Sequence, residues 1–293
     1  MTWRDPEPHL IEDALLISTD VFDTLLLRDG VSERARILAG ERRFAATLAE
    51  QGLIVHHDTL AEARLQAQRL AFRALNTRGG AGEVRLIEII ARQLAVLGLP
   101  ADEIPALVTA RMKIEVNLEK DHLRPNVPLV KFLRRQRASG RRIIAISDTT
   151  LATPHVEALI DHCCGPALLN RVFTSADEGS TKREGTLFAR IAATESVSLS
   201  QILHIGDDHR ADDCVPRGLG MRTHHVPRAK LHRQMTRVNG GIAEAGRRSR
   251  LVQSARNPRA APASISGPEA FGQFVLGPLA ALFALRIWLF ATE

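Results

Sequence analysis

Three short apolar runs that each stop at a carboxylate or hydroxyl constrain this chain more than any other feature. Residues 14–19 end at Asp20, residues 143–146 at Ser147-Asp148, and residues 202–205 at Gly206-Asp207-Asp208. Such runs fit strands buried on both faces of a sheet. Weaker strand signals lie at 171–174 and 222–226, and helical patterns at 126–139, 154–163, 184–195 and 211–218 separate them. Strands alternating with helices predict an α/β fold, a Rossmann-like parallel sheet with helices on both faces. In such sheets ligands bind beyond the carboxyl ends of the strands, where this chain places its Asp, Ser and Thr residues.

Residues 31–121 read differently. Val84, Ile87, Ile90, Ala91 and Leu94 follow helical spacing, as do Ile104, Leu107, Val108 and Met112, and no strand signal interrupts them. The expectation is an all-helical cap inserted after the first strand, with 1–30 and 122–227 forming the core around the strand-end site. Residues 228–270 read as a basic linker or arm, and 271–293 as an apolar C-terminal helix.

Composition narrows the function classes. Of 293 residues, 45% are hydrophobic and 25% charged, which excludes a disordered or fibrous chain. Three cysteines, Cys163, Cys164 and Cys214, exclude a disulfide scaffold. The first twenty residues carry five acids and no long apolar run, so no secretory signal is expected and a cytoplasmic location is. The net charge of +6 is local, because residues 228–259 hold nine Arg or Lys against Glu244 alone. Aromatic residues do not interleave with that run, which argues against sequence-specific nucleic-acid binding and for a solvated arm or peripheral contact with an acidic surface.

Two features of the C-terminal stretch bear on membranes and partners. From Pro278 to Ala291 there are 14 residues, about 21 Å of helix against a ~30 Å hydrocarbon core, and Arg286 lies within them. A docking helix fits better than a span, which makes 271–293 a candidate for self-association or a protein partner.

The strand ends converge on a chemistry. Asp20, Asp207, Asp208, Asp212 and Asp213 would repel one another unless a cation lies among them. Oxygen ligands favour Mg²⁺, which leaves coordination sites for a substrate phosphate. Lys182 is one of only five lysines and follows a turn-rich stretch, and with a strand-end serine it would hold the remaining phosphate oxygens. An aspartate facing such a phosphate can attack it.

Asp20 with Thr24-Leu25, Ser147, Lys182, and Gly206-Asp207 with Asp212 resemble, in order, the four motifs of the haloacid dehalogenase (HAD) superfamily of hydrolases. The run Asp20-Val21-Phe22-Asp23-Thr24-Leu25-Leu26 is most similar to predicted HAD hydrolases found with bacterial glycosyltransferase and surface-polysaccharide genes. The resemblance covers about residues 14–227. It implies that Asp20 is the nucleophile and a Mg²⁺ ligand, and that Ser147 and Lys182 hold the phosphate, with Thr24 and Asp148 beside them. It also implies that Asp207 and the backbone carbonyl of Phe22 are metal ligands, with Asp208 an alternative and Asp212 in the outer shell or holding Lys182. One position departs from the pattern: the phosphatases carry an acid/base Asp two residues after the nucleophile, and here Phe22 stands there. Asp23 is the local carboxylate expected to substitute.

Any one of these aspartates alone is more often a cap or turn residue, and only the set argues for a site. His162-Cys163-Cys164 lacks a partner at ligand spacing and reads as buried free cysteines, and His204 reads as a satisfied core histidine. The function expected is a Mg²⁺-dependent phosphohydrolase acting through an aspartyl-phosphate on a small phosphorylated metabolite, such as a sugar phosphate. The alternative is a low-turnover HAD-like scaffold for a polysaccharide-assembly enzyme. Metal-free dehalogenation has no use for the acidic set.

Overall fold

A computed structural model describes residues 3–77 and 82–256, with isolated positions after 275. In chain order the elements are α1 (Pro8–Ile11), β1 (Leu16–Thr19), β2 (Leu26–Arg28), α2 (Glu33–Glu50), α3 (His57–Thr77), α4 (Leu86–Ala95) and α5 (Ile104–His122). These are followed by β3 (Leu123–Pro125), α6 (Val127–Ala138), β4 (Arg142–Ser147), α7 (Thr153–Cys164), β5 (Arg171–Thr174), α8 (Ser175–Glu178) and α9 (Thr186–Glu195). The last are β6 (Ile202–Gly206), a π-helical turn at His209–Cys214, α10 (Val215–Gly218), β7 (Arg222–His225) and α11 (Lys230–Arg256).

Strands β5-β4-β1-β6-β7 form one parallel sheet in that order, with β1 in the centre between β4 and β6. The apolar runs explain why. Ile17, Ile143, Ala145, Leu203 and Ile205 point into one core cluster, while Leu16, Ile144, Ile146 and Ile202 point into another on the opposite face. Both faces are covered, so the runs carry no polar alternation. Because the chain leaves β1 towards β4 on one side and reaches β6 on the other, the carboxyl end of β1 is a topological switch point. Asp20 lies there, its amide donating to the Ile205 carbonyl at 2.8 Å.

A two-stranded antiparallel ribbon of β2 and β3 brackets the helices α2–α5. Three-residue strands carry no periodic signal, so this ribbon was not legible in the sequence. Ser32 caps α2 by accepting from the Ala35 amide. The helices pack on one another around Glu41, whose carboxylate accepts from Arg111 Nε at 3.0 Å and Gln93 Nε2 at 2.8 Å.

Residues 228–256 differ from the expectation of a linker. After Arg228, α11 runs for 27 residues. No proline falls between 228 and 256, and Arg, Ala, Gln, Leu and Met favour helix enough to carry the Gly240-Gly241 pair. Asn239 Oδ1 accepts from the Ser32 amide at 2.9 Å and its hydroxyl at 2.8 Å. The chain divides into two units, Met1–Ala243 and Glu244–Glu293. In the second, Glu244 accepts from Arg247 and Arg248. The apolar stretch 271–293 lies outside the described residues apart from isolated positions. No described helix is long and apolar enough to cross a membrane.

Candidate active site

Three strand ends, one helical turn and one loop build the site. Asp20 follows β1, Ser147 ends β4, Asp207 follows β6, and Asp212 lies in the π-helical turn behind it. Lys182 arrives from the loop between α8 and α9. Its Nζ lies 2.6 Å from Asp20 Oδ1 and 2.6 Å from Asp212 Oδ1. All three side chains are buried. Two carboxylates on one ammonium raise the Lys182 pKa against the burial that would lower it.

Asp212 is fixed on every side. Oδ1 also contacts His204 Nε2 at 3.1 Å, and Oδ2 accepts from the Asp208 amide at 3.0 Å. These partners, Lys182 foremost, hold its carboxyl below the ordinary range despite burial. His204 is wholly buried, with Nδ1 2.8 Å from Ser18 Oγ, and burial lowers its pKa. It is a satisfied core histidine, and one that buttresses the site. The approach of Asp212 to the strand requires Gly206, because a Cβ there would lie 2.3 Å from Asp212 Cγ.

Asp207 is held by two partners. Thr24 Oγ1 donates to Oδ1 at 3.2 Å, and Arg228 Nε donates to Oδ2 at 2.5 Å. Asp20, Asp207 and Asp212 each offer an oxygen within 4.8 Å of the others. Burial pushes the Asp20 carboxyl up to about 8, the Asp212 and Asp207 carboxylates adding to it while Lys182 opposes. Burial raises Asp207 as well. Lys182 and Arg228 supply two positive charges to this trio and to Asp23, and Arg28 is shared between Asp23 and Glu119, so negative charge is in excess. That donor set fits a hard divalent cation.

Ser147 Oγ is buried without a hydrogen-bond partner. It lines a cavity of about 570 Å³ together with Asp20, Lys182, Asp207 and Asp212 on the sheet side and Arg28, Arg36, Arg64, Gln68 and Glu83 on the helical side. An unpaired buried hydroxyl facing an open cavity is placed to donate to a ligand oxygen.

Three candidates from the sequence have other occupations. Asp148 accepts from the Lys182 amide at 2.8 Å and the Arg183 amide at 3.4 Å, so it shapes the lysine loop. Asp208 caps the π-helical turn through the Arg210 and Ala211 amides and pairs with Arg183 at 2.8 Å, outside the carboxylate trio. Asp23 sits at φ +63° and turns its carboxylate to Arg228 Nη1 at 3.0 Å and Arg28 Nη1 at 3.5 Å. It lines a separate small pocket with Leu27, Ala229 and His232. Phe22 does line the main cavity, with the Arg28 guanidinium 4.1 Å above its ring.

Several cavity residues escaped the sequence reading, Arg64 of α3 among them. Arg228 carried no motif, and its link to Asp207 spans 21 residues. Glu83 lies in the loop before α4, accepts from Ser175 Oγ at 3.5 Å, and burial raises its pKa.

The central β1 flanked by β4 and β6, the helical insertion behind β1, and the strand-end set of Asp20, Ser147, Lys182 and Asp207 form the α/β arrangement that the resemblance to the haloacid dehalogenase superfamily implies. No protein-family model matches the chain, and no curated protein does. Among solved structures it is similar to a 2-haloacid dehalogenase from Pseudomonas syringae pv. Tomato DC3000, at 19% identity and TM-score 0.49 over 72% of this chain and 85% of that one. It is also similar to a HAD family enzyme from Bacteroides thetaiotaomicron, crystallised with magnesium and inorganic phosphate, at 12% identity and TM-score 0.46 over 74% and 96%. A haloacid dehalogenase-like hydrolase from Streptococcus pneumoniae follows at 14% identity and TM-score 0.38 over 72% and 84%. These likenesses concern the fold and leave the reaction to the residues.

Proposed function

We propose that the chain is a HAD-type phosphohydrolase that transfers phosphate from a small phosphomonoester to Asp20 and then to water. The observation that carries this is Lys182 bridging Asp20 and Asp212 beneath the unpartnered Ser147 hydroxyl, all on one cavity wall. Asp20, Asp207 and the Phe22 carbonyl are the groups that would hold Mg²⁺, with Asp212 behind them. Bound there, Mg²⁺ supplies positive charge to phosphate oxygens and lets the carboxylates ionise together.

The remaining work belongs to side chains. Ser147 and Lys182 orient the phosphate, and Lys182 also fixes one Asp20 oxygen so that the other faces phosphorus. Asp20 attacks, the bond to the leaving alcohol breaks, and the alcohol oxygen takes a proton. Water then attacks the phosphorus of the aspartyl-phosphate, loses a proton, and frees the Asp20 carboxylate and inorganic phosphate. Phe22 can move neither proton. Asp23 is tied to two arginines, whereas Glu83 is a cavity carboxyl with no cation partner among the described residues and biased towards protonation, so it is the group placed to serve. The helices α2–α5 act as the cap over this site.

Phe22 favours a second reading, the low-turnover binding module, in which the same pocket holds a phosphorylated ligand without rapid release. A phosphate-release screen over phosphomonoesters with and without Mg²⁺ separates the two. Release that requires Mg²⁺ supports the hydrolase, and tight binding without release supports the module.

A further inference from the structure

The arginines that line the cavity are not alike. Arg28 and Arg36 both pair with Glu119, at 3.2 and 3.1 Å. Arg183 pairs with Asp208 and Arg228 with Asp207. Arg64, from α3, has no carboxylate within ion-pair distance among the described residues. Only 4% exposed, it makes one hydrogen bond, from Nη1 to Gln68 Oε1 at 3.0 Å, and its Nε has no partner.

The acids nearest in charge to Arg64 are committed elsewhere. Glu115 and Glu41 are bound by Arg111, at 2.8 and 3.0 Å. Glu33 is exposed and reaches Arg64 only through Gln68, whose Nε2 donates to it at 3.3 Å. Burial accordingly lowers the Arg64 pKa. A guanidinium held out of water without a counter-ion, with a free N–H, is a site waiting for an oxyanion, and its planar fork suits a carboxylate or a phosphate.

The cavity has phosphate-holding groups on one wall and this cation on the other. We propose that Arg64, oriented by Gln68, forms a second anion subsite, and that the substrate is a phosphomonoester bearing a second acidic group, a carboxylate or another phosphate, at its far end. This rests on the phosphohydrolase reading, and it adds a substrate class to it. The cap would then select by charge, and a neutral polyol phosphate would leave Arg64 as unpaired as it is without ligand.

The test is binding by calorimetry to the Asp20→Asn chain with Mg²⁺, which holds probes without consuming them. Inorganic phosphate checks the underlying reading. Three matched pairs check the subsite: 3-phosphoglycerate against glycerol 3-phosphate, 6-phosphogluconate against sorbitol 6-phosphate, and fructose 1,6-bisphosphate against fructose 6-phosphate. The acidic member of at least one pair should bind about tenfold or more tighter, as a charge-assisted pair predicts. Adding Arg64→Gln should erase that preference and leave inorganic phosphate unchanged, and Arg64→Lys should restore part of it. The pair that discriminates tells a carboxylate from a second phosphate. Equal binding within all three pairs, binding of phosphate but of no ester, or a preference that survives both Arg64 variants in folded protein would overturn the subsite. Failure to bind inorganic phosphate would overturn the reading beneath it instead.

Discussion

Arg228 pairs with Asp207, Nε to Oδ2 at 2.5 Å, while its Nη1 reaches Asp23 at 3.0 Å. One guanidinium thus neutralises a candidate metal ligand and the residue that follows Phe22. Asp207 must share or release that contact when a cation arrives, so the arginine competes with the ion. Arg228→Ala should therefore tighten Mg²⁺ binding several-fold in calorimetry. The same variant should lower the melting temperature in EDTA by a few degrees, because Asp207 loses its arginine and Asp23 one of its two. Weaker Mg²⁺ binding would instead make Arg228 an orienting group.

Asp23 and Glu83 make opposite predictions for dephosphorylation. Asp23→Asn should cost stability through its lost pairs with Arg28 and Arg228 and leave phosphoenzyme decay unchanged within about twofold. Glu83→Gln should slow decay by about 10²–10⁴, the usual range for general acid–base catalysis. The base must be deprotonated to take a proton from water. The raised Glu83 pKa therefore means that decay accelerates with pH through a midpoint above the ordinary glutamate value, and this limb should vanish in Glu83→Gln. Rapid-quench measurement across roughly pH 4–8, which takes in the ordinary glutamate value and the range above it, distinguishes the two.

Phe22→Asp offers a carboxylate where the phosphatase pattern has one, facing the cavity beneath Arg28. Turnover of alkyl phosphates should rise more than that of aryl phosphates, whose leaving groups need little protonation. Steady-state rates on one alkyl and one aryl ester check it, and equal change on both would remove position 22 from proton transfer.

Gly206→Ala would bring a Cβ to 2.3 Å from Asp212 Cγ. Asp212 must move, and Lys182 loses one of its two carboxylates. Activity should fall by at least about tenfold and stability by about 1–3 kcal/mol, the usual cost of overpacking. Denaturant melts alongside phosphate release test this, and a fully active variant would mean that Asp212 is not needed where it sits.

The sheet was legible because its strands are buried on both faces and stop at polar residues, so runs such as 143–146 stand out without alternation. Asp20, Ser147, Lys182, Asp207 and Asp212 were legible for the same reason, each marking a strand end or a loop that must return to one. What was not legible depends on turns and long-range pairs. Asp148 and Asp208 look like ligands in a string of letters, yet backbone amides take their oxygens, those of the distant lysine loop for Asp148 and those of its own turn for Asp208. Arg228 sits in a basic run that read as a linker, and its place by Asp207 follows from β7 pairing with β6, which carries the Val226 amide to the Gly206 carbonyl at 2.8 Å. Arg64 is one of three arginines in α3, and nothing short of the folded cap distinguishes it from Arg69 and Arg73.

The central claim is that Asp20 carries the phosphate. Rapid quench of the wild-type chain with a ³²P-labelled phosphomonoester and Mg²⁺, followed by acid precipitation and peptide mapping, tests it most directly. The account predicts acid-stable, hydroxylamine-labile label on the peptide containing Asp20, and none in a folded Asp20→Asn variant, which should also release no phosphate. Label on another residue, or phosphate release that persists in Asp20→Asn, would contradict it.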